Sequence, residues 1–404
     1  MSQHQQSDRP SELRSRNGRI RMIAMLPLLG QPRYAKRVDR LQQQGFDPTV
    51  MAFEREYHTG RVPNCPTVII GKAVESKYVS RLFSIIRAWP EVRRRIRHCD
   101  IVYAFGVDMA FLALSARLFR SVPIVLEIGD VVPVQVSSSW RGKCFRIFDK
   151  FLTARCQLIV TTTPKFLSEY YQKRLKVRTP GIVLENKVEA EFGSGVRAKL
   201  ESSPPPAVSA ARICIGYFGL LGCPWAFEVL KTLVTQHPDR FEVVLSGLRW
   251  PTVDLDKYLA STPGFRYTGQ FKSPQDLPAL YGGVDVTWAC YPPIGPTDWN
   301  LHWARPNRFY ESCLFCVPLI SRAGSCDAVD VANYKIGHVV DSIAVQDAAD
   351  DLAKNLTSDN ITKWKANMRS VPVRVYQYTT EFDDLASAMK NLVEQSKMNR
   401  SSAS

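Results

Sequence analysis

The sequence predicts an α/β protein built from two doubly wound domains in tandem, each a parallel sheet wrapped by helices. Three observations carry this expectation. Short β-branched and aliphatic runs recur along the chain, segments with helical spacing separate most of them, and the series breaks at a proline-rich stretch before starting again. At 404 residues there is length for two cores of ordinary size, and 45% hydrophobic against 23% charged residues is a globular balance.

The first series comprises IRMIAML (20–26), PTVMAF (48–53), TVII (67–70), DIVYAF (100–105), VPIVLEI (122–128), QLIVTTT (157–163) and GIVLEN (181–186). Each is short, apolar and almost uninterrupted, the pattern of a strand buried on both faces. YAKRVDRLQQQG (34–45) and MAFLALSARLF (109–119) between them have helical spacing. These elements define a first domain over 20–190, preceded by a polar, basic tail (1–19) read as disordered.

The stretch EFGSGVRAKLESSPPPAVSAA (191–211) contains three consecutive prolines, which continue neither a helix nor a central strand, and it is assigned as the linker. The alternation resumes with RICIGYFG (212–219), FEVVLSG (241–247), FRYTGQF (265–271), VDVTWACY (284–291), VPLIS (317–321) and GHVVD (337–341). A second domain over 212–395 follows, then a short disordered tail (396–404). No internal repeat of the length that marks a solenoid is visible.

Charge is unevenly placed. Residues 1–200 hold 34 Lys and Arg against 17 Asp and Glu, while the remainder holds 19 against 21, so all of the net +15 comes from the first half. A basic half-molecule faces nucleic acid, anionic lipid or a phosphorylated substrate, and charge alone does not choose. No helix-turn-helix, RRM, KH or OB signature is present and the basic residues lack an interleaved aromatic platform, which reads against nucleic acid. No apolar run approaches the length of a membrane span, and the N-terminus lacks the apolar core of a secretory signal, so the expected location is cytoplasmic. The ten cysteines are scattered among the elements and are read as reduced. Cys313 and Cys316 form the one CxxC, with no second pair at zinc-site spacing, and are read as part of a buried helix face. Six His show no paired spacing, so no metal site is expected.

Doubly wound domains bind ligands at the carboxyl ends of their strands, where strand order reverses. In the second domain this points to Gly219-Leu-Leu-Gly222, to Ser246-Gly-Leu-Arg249, and to the loop from Tyr291 to Asn307. None is a GxGxxG or a Walker loop, so nicotinamide and P-loop chemistry are not indicated. Gly219 and Gly222 either let a diphosphate approach the backbone or shape a strand-to-helix turn.

The last loop runs into RPNRFYESCLFCVPLI (305–320). This stretch resembles the "PxK…E…G-x-P-[VI]-I" segment of nucleotide-sugar-dependent glycosyltransferases with the GT-B architecture, in particular the family 4-like enzymes of bacterial polysaccharide assembly. The resemblance implies two Rossmann-like domains facing across a cleft, an acceptor domain first and a donor domain second. It implies that Arg308 contacts the donor diphosphate and that Glu311 accepts hydrogen bonds from the ribose; Asn307, Gly219, Gly222, Arg249 and Trp303, from the strand-end loops named above, are the further donor-binding candidates. The chemistry fits these roles. A carboxylate takes two vicinal hydroxyls, a guanidinium presents a planar fork to phosphate oxygens, and a spacing of three puts both on one helix face. The bland alternative is a surface ion pair. In the first domain the successive elements ending at VLENK (183–187) resemble those of a GT-B acceptor domain. Two positions depart from the pattern: Trp303 stands where relatives carry the first of two Glu, and no Lys follows the first strand of the second domain around Cys223-Pro224-Trp225. The resemblance implies that neither a cofactor nor a bound metal is needed, since GT-B enzymes generally work without one.

Sugar transfer needs a neutralised leaving diphosphate and, for inversion, a base at the acceptor hydroxyl. Glu127 and Asp130, in VLEIGDVVP, stand at the end of a central strand and are the candidate catalytic carboxylates, with Asp130 the first choice and a loop-capping Asp its alternative. The aromatic residues Trp288, Tyr291, Trp299 and Trp303 either stack on base or sugar or pack the loop. Arg33 reaches an anionic acceptor or simply starts a helix. RLFSIIRAWPEVRRRIRH (81–98) has an apolar helical stripe with Arg93, Arg94 and Arg95 among its basic residues, and is read as a candidate helix for an anionic membrane surface, the alternative being a helix packed on its own sheet. The expected protein is thus a glycosyltransferase, peripheral on the inner face of the plasma membrane, moving a sugar from a nucleoside diphosphate to a lipid-linked saccharide. A GT-B nucleotide-sugar epimerase and a basic nucleic-acid-binding protein are the alternatives.

Overall fold

The computed structural model describes residues 18–54, 61–72, 78–118, 120–202, 212–292 and 299–402. It divides into two compact units, one of Met1–Val131, Ser138–Leu184 and Thr380–Ser404, the other of Val132–Ser137 and Glu185–Thr379.

The first unit contains β1 (Ile20–Leu26), α1 (Pro32–Gln43), β2 (Phe46–Glu54), β3 (Thr67–Lys72), α2 (Tyr78–Ile96), β4 (Ile101–Phe105), α3 (Val107–Ala116) and β5 (Ile124–Ile128). After the short α4 (Pro133–Val136), which belongs to the second unit, come α5 (Trp140–Thr153), β6 (Leu158–Thr161), a π-helix over Phe166–Arg174 and β7 (Gly181–Val183). The seven strands form one parallel sheet in the order β3-β2-β1-β4-β5-β6-β7. Every residue of β4 and β5 is buried, as uninterrupted apolar runs require when helices cover both faces. Order reverses between β1 and β4.

The second unit continues with α6 (Ala190–Glu201), β8 (Ile213–Leu221), α7 (Pro224–Gln236), β9 (Phe241–Arg249), α8 (Leu255–Ser261), β10 (Phe265–Tyr267), α9 (Leu277–Gly282), β11 (Val286–Ala289), α10 (Trp299–Trp303), α11 (Asn307–Phe315), β12 (Leu319–Arg322), α12 (Cys326–Tyr334), β13 (Gly337–Val340), α13 (Val345–Asn355), α14 (Ser358–Arg369) and α15 (Val373–Tyr376). Its parallel sheet runs β10-β9-β8-β11-β12-β13, reversing between β8 and β11. Alternate residues of β8 feed the two cores. Tyr217 packs with Phe227, Leu245 and Trp288 on one face, and Phe218 with Phe309, Leu314 and Tyr281 on the other.

All thirteen strand runs of the sequence are strands, and both units are Rossmann-like. The ends of the elements differ from expectation in two places. The stretch taken as a linker begins as α6, whose Phe192 packs on Phe315 while Arg197 donates to the Cys313 carbonyl at 2.8 Å, and only 203–211 lie outside the described residues. The expected tail after 395 is helical, because α16 (Glu381–Ser401) runs to Ser401. That helix buries Phe382, Leu385, Met389 and Val393 and groups with the first unit, since an apolar face needs a core but its periodicity does not say which one. The expected N-terminal tail lies outside the described residues as far as residue 17. Cys313 is buried as expected, whereas Cys316 caps α11 in the left-handed region (φ +58°), the position that holds Gly in the resembled segment. Its Sγ accepts from Arg197 Nη1 at 3.0 Å.

Candidate functional site

The reversal of strand order in the second sheet lies between β8 and β11, and α11 starts beside it. Pro306, extended at the N-cap, sets the entry to α11, so that Arg308 and Glu311 fall one turn apart on the same helix face. Arg308, partly buried, donates through Nη1 to the carbonyl oxygen of Phe218 near the end of β8. Its guanidinium lies over the rings of Tyr291 (4.8 Å) and Tyr217 (5.6 Å). Burial opposes its charge, but Tyr291, Tyr217, Tyr281 and Glu311 around it more than offset this, so Arg308 stays a cation. Glu311 accepts from the Tyr281 phenol at 2.7 Å. Burial, reinforced by the Glu311 charge, pushes that phenol well above its ordinary pKa, so Tyr281 keeps its proton and donates. Tyr281 is itself held by stacking on Phe315, with centroids 4.9 Å apart.

The backbone next to this pair is bare. Gly219, in the left-handed region (φ +100°), would place a Cβ 3.9 Å from Arg308 Nη1, and a Cβ on Gly247 would fall 1.9 Å from the Gly219 carbonyl oxygen. Glycine at both positions lets the ends of β8 and β9 approach, and leaves peptide groups rather than side chains beside the guanidinium. Contrary to expectation, these glycines lie inside strands: β8 runs to Leu221 and β9 to Arg249, paired in register to their last residues. A fixed cation, an acceptor carboxylate and open peptide backbone together suit a diphosphate with vicinal hydroxyls nearby.

The other expected donor residues scatter. Gly222 packs under Trp250, and Arg249 is an exposed side chain paired with Asp256 at 2.9 Å and laid over Tyr267. Asn307 accepts from Asn186 at 2.7 Å. Of the aromatic residues, Trp288 is core and packs on Trp225, Tyr291 belongs to the Arg308 group, and Trp299 stacks on His302 and packs against the mostly buried Trp303. Residues 293–298 of the intervening loop lie outside the described residues. A cavity of about 660 Å³ opens at the opposite edge of this sheet, among Phe192, Val196, Val284 and Phe315; Tyr281 lines it, but neither Arg308 nor Glu311 does. The geometry of the strand ends, rather than the size of a hollow, marks the site.

One group was missed. Arg305, at the start of the recognised segment, is nearly buried and pairs with Glu185 (3.2 Å), Asp327 (3.1 Å) and Asp330 (2.6 Å), while the Tyr310 hydroxyl donates to Glu185 at 3.1 Å. Only the i,i+3 carboxylates of CDAVD hinted at it. Three carboxylates share one guanidinium, and burial pushes Asp327 up to about 7, against the pull of Arg305 and with the push of Asp330 and Glu185. A folded-state pKa above the ordinary 3.8 means the proton on Asp327 stabilises the fold fully below that value, and this contribution is lost as pH rises through about 7. Asp327→Asn, which cannot ionise, should therefore gain stability relative to the parent by roughly 1–3 kcal/mol between pH 5 and pH 8. Urea titrations at several pH values measure this; a difference that stays constant over that range would show that Asp327 does not titrate there.

In the first unit Glu127 and Asp130 part company. The Glu127 side chain is fully buried, accepting from Tyr103 at 2.6 Å and from Arg37 Nε at 3.4 Å, with Arg37 equally buried and donating to the Leu184 carbonyl. It is a core ion pair, not a base presented to a ligand, and this corrects its assignment as a catalytic carboxylate. Asp130 follows β5, has 61% of its side chain exposed and lies 3.9 Å from Arg33. Arg33, on the first turn of α1, rests on Gly129, where a Cβ would fall 1.9 Å from its Nη2. Arg33 Nε and the side-chain oxygen of Gln31 are buried without a hydrogen-bond partner among the described residues. Gln31, Arg33, Gly129 and Asp130 thus form a polar cluster at the carboxyl edge of the first sheet.

The candidate membrane helix is packed on its own unit. In α2, Ile85, Ala88, Val92 and Ile96 are buried, the helix runs through Pro90, Arg94 and Arg95 pair with Glu91, and Arg93 lies over Trp89. Most of its described apolar stripe is thus spent on the core, Ile86 (57% exposed) and the neighbouring Phe83 (63%) staying in solvent, and its basic face is partly neutralised.

No family model matches the chain. Succinoglycan biosynthesis protein ExoL of Rhizobium meliloti is 28% identical over 340 residues, covering 82% of this chain and 83% of that protein. Among solved structures, sucrose-phosphate synthase from Thermosynechococcus elongatus superposes with a TM-score of 0.70 at 11% identity, over 93% of this chain and all of the other. Anabaena Alr3699/HepE, solved with UDP and glucose, gives 0.62 at 14% identity over 91% of this chain and 99% of the other. At such identities the structural matches establish the shared fold.

Proposed function

We infer that this chain is a GT-B glycosyltransferase of bacterial surface polysaccharide assembly, taking its sugar from a nucleoside diphosphate. The observation that carries this reading is the Arg308–Glu311 pair on one face of α11 beside the bare ends of β8 and β9. The 28% identical relative is named for succinoglycan biosynthesis, and a neighbour of the same fold was solved with UDP. In this reading Arg308 and the peptide groups at Gly219 hold the diphosphate, and Glu311 takes the ribose hydroxyls. Tyr281, donating to Glu311, keeps the carboxylate turned toward them.

The acceptor is a lipid-linked saccharide, and the basic first unit brings the enzyme to the membrane that holds it. Asp130 serves as the base at the acceptor hydroxyl, with Arg33 orienting the carboxylate and meeting the acceptor's negative charge. Calorimetry of the full chain with UDP, other nucleoside diphosphates and their sugars tests the donor reading. A nucleotide at 100 times its dissociation constant should stabilise the protein by about 2.7 kcal/mol, and no response to any nucleotide would overturn it. Product analysis with and without lipid-linked acceptor separates transfer from epimerisation, which needs no acceptor. Asp130→Asn should lower turnover by about 100-fold with donor affinity little changed; unaltered turnover would reduce Asp130 to a partner of Arg33.

A further inference from the structure

Helix α5 leaves a continuous apolar stripe in solvent. Trp140 (69% exposed), Ile147 (71%), Phe148 (38%) and Phe151 (50%) recur at helical spacing, with exposed Cys144 between them. Isolated exposed apolar residues are ordinary, but a row of bulky ones along one helix is a surface that seeks cover. The opposite face, with Gly142, Asp149, Leu152 and Thr153, is buried in the unit. Arg141 flanks the stripe on one side, Lys143, Arg146 and Lys150 on the other, and Arg141 and Arg155 lie over the rings of Trp140 and Phe151. The one acid on the helix, Asp149, is buried and accepts from Thr153 and Tyr170.

We propose that α5 is the membrane-docking element of this protein, its apolar stripe entering the acyl boundary of an anionic bilayer while the flanking cations meet lipid phosphates. The proposal rests on the reading of a lipid-linked acceptor and moves the docking face from α2, which buries Ile85, Ala88, Val92 and Ile96 and exposes Phe83 and Ile86 beside Arg94 and Arg95 already paired with Glu91, to a helix with four bulky apolar side chains in solvent and no exposed acid of its own. A second copy of the chain is a poorer occupant. Two such faces meeting would juxtapose their cations without an exposed carboxylate on either helix to answer them. A nucleic acid would meet the cations but has no acyl phase for Ile147. An interfacial helix with aromatic and aliphatic side chains on one side and Lys and Arg beside them partitions through both contributions, each basic residue near an anionic surface multiplying binding by about fivefold.

The test is sedimentation of the full chain with vesicles of phosphatidylcholine alone or mixed with phosphatidylglycerol, alongside calorimetry with UDP. The parent should bind the mixed vesicles, and added salt should release it in part. The exposed-residue variant Trp140→Ser/Ile147→Ser/Phe151→Ser should lose at least about tenfold in partitioning, as should Arg141→Ser/Lys143→Ser/Lys150→Ser, while Arg93→Ser/Arg94→Ser/Arg95→Ser on α2 should lose far less. UDP affinity should be the same in all of them, which shows that they fold. The proposal falls if the α5 variants bind vesicles like the parent, if the α2 variant is the one that loses binding, if the parent is a dimer that the apolar variant dissociates, or if an oligonucleotide displaces the vesicles. Vesicle binding without nucleotide binding would remove the glycosyltransferase reading and leave the docking surface; nucleotide binding without vesicle binding would do the reverse.

Discussion

Arg308→Ala is expected to weaken binding of nucleoside diphosphates and their sugars by about 30-fold or more, and of the bare nucleoside little. Losing one partner of a desolvated charge pair costs about 2–5 kcal/mol, and only the phosphorylated ligands offer oxygens to the guanidinium. Glu311→Ala should weaken nucleoside and nucleotide alike, by about 10-fold to 150-fold, because hydroxyls that lose a charged acceptor forfeit roughly 1.5–3 kcal/mol. The two profiles differ by design of the site: one residue reads phosphate, the other ribose. Tyr281→Phe separates a binding role from a merely structural one. It removes the phenol that Glu311 accepts from, so it should lower nucleoside affinity by a smaller factor with the stacked ring on Phe315 retained. Calorimetry across the ligand series decides. Equal affinity of the parent and Glu311→Ala for nucleoside and nucleotide sugar would reduce this segment to a turn with internal pairing.

The other large effect is on stability. Glu127→Ala should cost about 3–5 kcal/mol, because it leaves the Arg37 guanidinium buried without its carboxylate and the Tyr103 hydroxyl without its acceptor. For units of this size that corresponds to a fall of very roughly 6–20 °C in the melting temperature of the first unit, read by calorimetry. Glu127→Gln, which keeps volume and one acceptor oxygen, should fall less. Replacing both partners, Arg37→Met with Glu127→Leu, should recover much of the loss, since a well-packed apolar pair of similar volume is often as stable as the ions. If Glu127→Gln abolished turnover while leaving the melting temperature unmoved, Glu127 would return to the chemistry.

The contrast between these two carboxylates shows how far local reading extends. Glu311 stands three residues from Arg308 in a helix whose start is announced by Pro306, and helical geometry alone puts the two on one face. Glu127 lies in a run that reads equally well as a strand end facing ligand or as a core strand. Its partner Arg37 is 90 residues away, and nothing within a dozen residues of either indicates that they meet. The same holds for Arg305, whose three carboxylates come from α12 and from the segment after β7. Clusters assembled from distant stretches have no local signature.

By itself the sequence determined the thirteen strands, the two doubly wound units and the spacing of Arg308 and Glu311, because uninterrupted apolar runs, their alternation with helical segments and the 3.6-residue helical turn are all expressed in local stretches of chain. Tertiary structure decided everything that depends on which element covers which. It consigned Glu127 to a buried ion pair, took Ile85, Ala88, Val92 and Ile96 of α2 into the core, returned α16 to the first unit and left the stripe of α5 in solvent. An amphipathic helix encodes a face to be covered, and what covers it is settled only when the chain has closed its cores; α2 ends with most of its described stripe buried, whereas α5 ends with Trp140, Ile147, Phe148 and Phe151 in solvent.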